Sequence, residues 1–183
     1  MNASKQLYDL YPATDIRRSV IFGASISAEN LANNNFPIRK YTGSTDGPTI
    51  NDVKLFRSSD LKLIIAECKA RNNNLAGAAV DVQELRLIRV LSPVPAIPNY
   101  ANLNAALTDI LLERRKEFAF EGHRYLDLKR IGAEINVGIS RLADDAFTFN
   151  APTSLAAGDY RFTMPIPTSE ISANPTIVQN PNY

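Results

Sequence analysis

Between residues 58 and 131, apolar side chains recur at helical spacing. The recurrence is interrupted only at Asn72-Asn73-Asn74 and at the proline cluster Pro93, Pro95 and Pro98. This pattern restricts the fold most, because a period near 3.6 held over three successive segments cannot be built from strands, whose side chains alternate with period two. In the first segment Leu61, Ile64, Ile65, Cys68 and Ala70 follow Ser58 and Ser59, either of which suits a helix N-cap. The second repeats the pattern through Leu75, Ala78, Ala79, Val82, Leu85 and Ile88. The third begins near Tyr100 to Asn102 and runs to about Ile131, with Gly132 as its stop; unbroken, it would span roughly 45 Å at about 1.5 Å per residue. Residues 1–57, rich in Asn, Gly and Ser and interrupted by Pro12, Pro37 and Pro48, predict loops and short elements, including a brief strand near Ile38 to Thr42. Four prolines and two Asn-Pro steps in the closing YRFTMPIPTSEISANPTIVQNPNY forbid long regular structure there. The expectation is a mainly α fold with long irregular loops, forming a single domain over residues 1–183.

Charge and cysteine content exclude several functions. Twenty Lys and Arg residues nearly cancel nineteen Asp and Glu residues, and no basic block interrupts the chain, which argues against nucleic acid as the main partner. The single Cys68 cannot form an intrachain disulfide and has no metal-ligand spacing around it, so it reads as a small buried hydrophobe. No metal or cofactor is implied. No apolar run approaches the roughly 18 residues that cross a bilayer, and MNASKQLYDLYP carries no signal-peptide h-region. The first two helices, together about 34 residues with small alanines early in the second, resemble a tetratricopeptide-type hairpin. One such hairpin needs further helices against it, since a solenoid unit buries its faces only on stacked neighbours.

The stretch ERRKEFAFEGHR, residues 113–124, carries eight ionisable side chains in twelve and a central Gly122. On a continuous helix, Leu107, Ile110, Leu111, Arg114, Phe118, Glu121, Gly122, Tyr125 and Leu128 fall within roughly 60° of one direction, while Glu113, Lys116, Glu117, His123, Arg124 and Asp127 face away. Arg114 and Glu121 therefore point inward, where a charge persists only if paired. Glycine costs about 1 kcal/mol in a helix interior relative to alanine, which a second backbone packed closely against Gly122 would justify. The competing reading is catalysis by Glu113, Glu117 or Glu121 with a His123–Asp127 pair one turn apart as an oriented base. No nucleophile motif accompanies these groups, and all the carboxylates lie along one helix rather than across a cleft, which favours a structural charged face.

ERRKEFAFEGHRYLDLKRIG, residues 113–132, is similar to the signature helix of the SusD/RagB family of outer-membrane nutrient-binding lipoproteins. MPIPTSEISANPTIVQNPNY, residues 164–183, resembles that family's C-terminal end. DIRR at 15–18 and RSSDLKLIIAECKA at 57–70 agree with it in kind and in order. The resemblance implies a helical scaffold displayed on the outside of a Gram-negative outer membrane. It further implies non-catalytic capture of oligosaccharides or other nutrients, and service as a lid on a SusC-like TonB-dependent transporter. Members of the family are several hundred residues long and start with an acylated cysteine, so this chain resembles the C-terminal portion of one, itself soluble. The charged helix becomes a scaffold element in a network of Asp15, Arg17, Arg18, Arg114 and Glu121. No ligand residue transfers by resemblance. Sugars stack on aromatic faces, and with no Trp in the chain the candidates are Phe36, Tyr41 and Tyr100, set among Asn, Gly, Ser and Thr; ordinary packing is the competing role for each. The other reading of the whole chain is a tetratricopeptide-like helical adaptor for a protein partner, with no sugar site.

Overall fold

The computed structural model describes residues 2–41, 43, 50–142 and 153–183, and their regular secondary structure is mostly helical. The centre is a hairpin of α4 (Ser58–Arg71) and α5 (Leu75–Leu87), with α6 (Leu103–Glu117) packed on both. The asparagine run makes the turn: Asn72 ends α4, Asn73 takes a φ of 60°, which asparagine tolerates, and the Asn74 side chain accepts a hydrogen bond from Gly77 N at 2.9 Å to cap α5. Leu63, Ala66 and Ala70 of α4 meet Ala78, Val82 and Leu85 of α5 and Ala106 and Ile110 of α6, all buried. Alanines at the contact let the backbones approach.

The buried face of α4 is not the one the largest apolar side chains mark. Leu61 is 62% exposed, Ile64 43% and Ile65 47%, and Cys68 lies exposed beside them, so the expectation of a buried cysteine is overturned. The helix is apolar on two sides, and the side carrying small residues takes the tight packing. The cap differs too. Arg57 occupies the N-cap position with no side-chain cap bond, and Ser58 and Ser59 lie inside the first turn.

The third helix breaks. α6 ends at Glu117 with Phe118 as its C-cap, Phe120 takes a φ of 64° and Gly122 a φ of 83°, and the chain re-enters α7 (His123–Asp127), which continues as a π turn over Leu128–Gly132. A Cβ at Gly122 would meet nothing within 4 Å, so no second backbone presses there; the left-handed conformation is what requires glycine. The close approach is at Gly132 instead, where a Cβ would stand 2.5 Å from the Val137 carbonyl oxygen. Gly122→Ala separates the two geometries by sign. In a continuous helix it would stabilise by about 1 kcal/mol; at this bend it is expected to destabilise by about 1 to 2 kcal/mol, read as a lower urea midpoint.

Before the hairpin lies a small layer in the region where loops and short elements, including a brief strand near Ile38 to Thr42, are expected from the sequence. β1 (Asn2–Ala3) pairs antiparallel with β2 (Phe36–Pro37), Ala3 opposite Phe36. The strand thus falls before Ile38, and Thr42 is outside the described residues. Helices α1 (Lys5–Tyr8), α2 (Ile16–Phe22) and α3 (Ala28–Ala32) complete the layer. Its core is aromatic: Phe36 stacks on Tyr8 at 4.3 Å between centroids, and Phe22 meets Tyr8 and Tyr11 edge-on. Two backbone hydrogen bonds, Ile16 N to Arg89 O and Leu91 N to Thr14 O, both 2.9 Å, tie the start of α2 to the end of the hairpin.

On the other side Leu107, Leu111, Leu128, Ile131, Ile135 and Phe162 form a further core. β3 (Ile139–Ser140) pairs antiparallel with β4 (Ser154–Leu155), and a 3-10 turn covers Tyr160–Phe162. The tail holds only α8 (Thr168–Ala173), as its prolines dictate, and Gln179 fastens it by accepting from Ile166 N and donating to Ile166 O at 2.8 and 2.9 Å.

Candidate functional site

Glu113 and Glu117 stand one turn apart on α6, and Glu121 follows in the bend. Their side chains are 0%, 1% and 2% exposed, so the outward placement of Glu113 and Glu117 read from the helical wheel is corrected. What turns this face inward is a set of cations arriving from α2, from α5 and the turn after it, from the N-cap of α4 and from the segment after β2. Asp15 caps α2 and accepts from Arg17 N (3.0 Å), Nε (2.9 Å) and Nη2 (2.7 Å), which aims the remaining guanidinium nitrogen at α6. Arg17 Nη1 then donates to Glu113 Oε1 at 2.7 Å and Glu117 Oε2 at 3.1 Å. From α5, Arg86 reaches Glu113 and Asp109, and from the turn just beyond it Arg89 reaches both Glu117 oxygens. Arg57 bridges Glu117 (2.7 Å) and Glu121 (3.0 Å), and Lys40 completes the row on Glu121.

Asp15, Arg17 and Glu121 thus belong to one network, although its main members, Glu113, Glu117, Arg57, Arg86, Arg89 and Lys40, escape a reading of α6 alone. The visible signal for them was the arginines bracketing the hairpin, Arg57 before it and Arg86 and Arg89 at its end. Arg114 forms a separate group with Asp60 (2.7 Å) and Asp127 (2.8 Å). Arg18 joins neither; it donates to the Tyr8 hydroxyl, with its guanidinium 4.6 Å from that ring's centroid.

Electrostatics decide what this ladder can do. Burial pushes Glu113 up, but Lys116, Arg17 and Arg86 together outweigh it and hold the carboxyl down to about 2. Glu117 is likewise held to about 2, where hydrogen bonds from Arg89 and Arg57 override burial. Such groups are ionised throughout the neutral range and have no proton to deliver as general acids. The supposed base is also dismantled: both Asp127 oxygens accept from Arg114 Nε, and His123 stacks on Phe118 at 4.5 Å with Nδ1 turned toward Arg114 Nη2. Above the ladder lies a cavity of about 240 Å³ edged by the exposed Ile16 and Val20. Among the described residues no group of three or more His, Cys, Asp or Glu could hold a metal ion, and no helix is long and apolar enough to cross a membrane.

The aromatic candidates part company. Phe36 is 1% exposed and stacked on Tyr8, so it offers no face to a ligand, and its candidacy is withdrawn. Tyr100 packs on the hairpin core and donates to Asp109 Oδ2 at 2.7 Å. Tyr41 keeps a partly open ring, its hydroxyl donating to Phe120 O at 3.3 Å and Lys54 Nζ lying 5.3 Å from the centroid. The three do not converge on one surface.

The chain belongs to the SusD family, whose model matches residues 22–183. DIRR at 15–18 lies before that span. The chain is 33% identical over 120 residues to SusD-like protein P38 of Formosa agariphila, covering 62% of this chain and 24% of that protein. To SusD-like protein P25 of the same organism it is 26% identical over 184 residues, covering 97% and 33%. Among solved structures, a putative sugar binding protein from Bacteroides vulgatus superposes with a TM-score of 0.76 at 24% identity, covering 100% of this chain and 39% of the other. A SusD superfamily protein from Bacteroides fragilis gives 0.70 at 21%, covering 100% and 40%. The shared fold is the mainly helical one described above, and the chain spans a quarter to a third of the length of the curated relatives it matches.

Proposed function

We propose that this chain serves non-catalytic capture of oligosaccharides at the outer-membrane surface, in concert with a SusC-like TonB-dependent transporter. The observation that carries the reading is the family match over residues 22–183, together with a fold shared with a putative sugar binding protein. The ion ladder supports the non-catalytic part, since its carboxylates are fixed to guanidiniums rather than presented to a substrate. Tyr41 is the remaining sugar-stacking candidate, with its ring partly open beside Lys40 and Lys54. Titration calorimetry of the folded chain against plant, host and microbial oligosaccharides tests this. Reproducible heat with one glycan class, weakened at least tenfold by Tyr41→Ala, is the expected outcome. Uniform silence would remove sugar capture by these residues.

A helical adaptor is the second reading, favoured by Leu61, Ile64 and Ile65 exposed together along α4. Such a stripe at i, i+3 and i+4 suits the apolar face of another helix. Leu61→Lys with Ile65→Lys would abolish partner binding under that reading and leave glycan binding untouched under the first.

A further inference from the structure

The bend that interrupts the third helix opens a second cavity, of about 410 Å³, between the β1–α1 segment and the α6–α7 junction. Two guanidiniums line it, Arg115 from α6 and Arg124 from α7, both partly buried. Arginine is seldom buried unless paired, and the chain obeys that elsewhere: Arg17, Arg57, Arg86, Arg89 and Arg114 each have a carboxylate oxygen within 3.1 Å. Among the described residues Arg115 and Arg124 have no ion pair at all. They are also near enough to oppose one another. Burial, and then the Arg115 charge, holds Arg124 down to about 10, and burial lowers Arg115 as well. Asp127, the carboxylate nearest in effect, is already bound through both oxygens to Arg114. A third polar group in the same cavity is unsatisfied: Ser4 Oγ is buried with no hydrogen-bond partner. Phe120, 37% exposed, and Tyr125 supply aromatic surface on the wall.

Two like charges held close together, a hydroxyl with an open hydrogen bond and an aromatic wall share this one cavity. We propose that Arg115, Arg124 and Ser4, with Phe120 and Tyr125, bind an oxyanion carried on a sugar-sized body: the carboxylate of a uronic acid or a sulfate ester. Each guanidinium presents a planar fork of donors that matches such a group bidentately. The volume lies within the range of small-ligand pockets, and the aromatic surface suits the apolar face of a pyranose. The oxyanion part stands on the two unpaired arginines and Ser4; the sugar part rests on the glycan-capture reading above.

The test is calorimetry of the whole chain with glucuronate, acetate, inorganic sulfate and glucose at fixed ionic strength. Saturable glucuronate binding, at least tenfold tighter than glucose, is expected. Arg115→Gln and Arg124→Gln should each weaken it at least tenfold, with Tm unchanged or raised because a repulsion is relieved; Ser4→Ala should weaken it severalfold and Lys129→Gln, on the exposed surface, not at all. Failure of glucuronate and sulfate to bind saturably, or binding indifferent to both arginine substitutions, overturns the site. Glucuronate no tighter than acetate overturns its sugar-borne ligand. Loss of the Tyr41-dependent oligosaccharide heat with glucuronate binding retained would sink the glycan-capture reading and leave the oxyanion site. The converse would sink this site alone.

Discussion

Glu117→Gln is expected to destabilise the chain by about 3 to 5 kcal/mol, the usual cost of removing one partner from a buried ion pair. The substitution keeps volume and shape, so the loss comes from charge: Arg17, Arg57 and Arg89 all direct donors at this carboxylate, whose side chain is 1% exposed. Against a total stability of about 5 to 15 kcal/mol for a domain, that is a severe loss, corresponding to a fall in Tm of roughly 10 °C. Because the ladder joins α2, α5 and α6, residues 1–183 are expected to unfold in one transition. Urea curves followed by circular dichroism and by tyrosine fluorescence should coincide, with a lower midpoint and an unchanged slope in the variant. An unchanged midpoint would mean that the cations rearrange without cost.

Acid should unfold the protein through the same groups. Glu113 and Glu117 have folded-state values lowered from 4.5 to about 2. A lowered folded value means stabilisation fully present above the unfolded value and lost as pH falls through the folded one. The decline therefore belongs between about pH 4.5 and 2, not near neutrality. Each carboxylate contributes on the order of 3 kcal/mol, and the pair less than double because both lean on Arg17. Urea midpoints should hold steady from pH 7 to 5 and then drop steeply. In Glu117→Gln the drop should be visibly smaller, since one of the titrating groups is gone. A wild-type midpoint still flat at pH 3 would contradict the assignment.

The α4–α5 hairpin was legible in the sequence because two signals agreed there, apolar periodicity and an asparagine turn whose residues tolerate the required backbone. The buried side of α4 was not. Periodicity locates apolar residues but cannot tell which of two apolar sides meets the closer neighbour, and Ala66 and Ala70 decided that by size. The break after α6 was hidden for a related reason. Apolar phase persists across residues 118–122, and Phe120 adopts a left-handed φ that no glycine or proline announces. Inward charge was legible in kind at Glu121 and Arg114 but misassigned at Glu113 and Glu117. A helical wheel takes the greasy direction as the inside, whereas here a second inside is made by arginines arriving from α2 and α5, distant in sequence. The family, by contrast, was carried by two contiguous segments, 113–132 and 164–183, which need no knowledge of packing to compare. Of the aromatic candidates, Phe36 failed because polar sequence neighbours do not report on the aromatic core beneath them.

The charged stretch of α6 is scaffold, fastening the N-terminal layer to the hairpin through Arg17. A double-mutant cycle of Arg17→Met and Glu117→Gln, read by urea unfolding at pH 7, measures that fastening directly. A coupling energy of about 2 kcal/mol or more between the two positions is expected. Additive effects, with coupling below about 0.5 kcal/mol, would show that the two side chains stabilise the fold independently and would contradict that fastening.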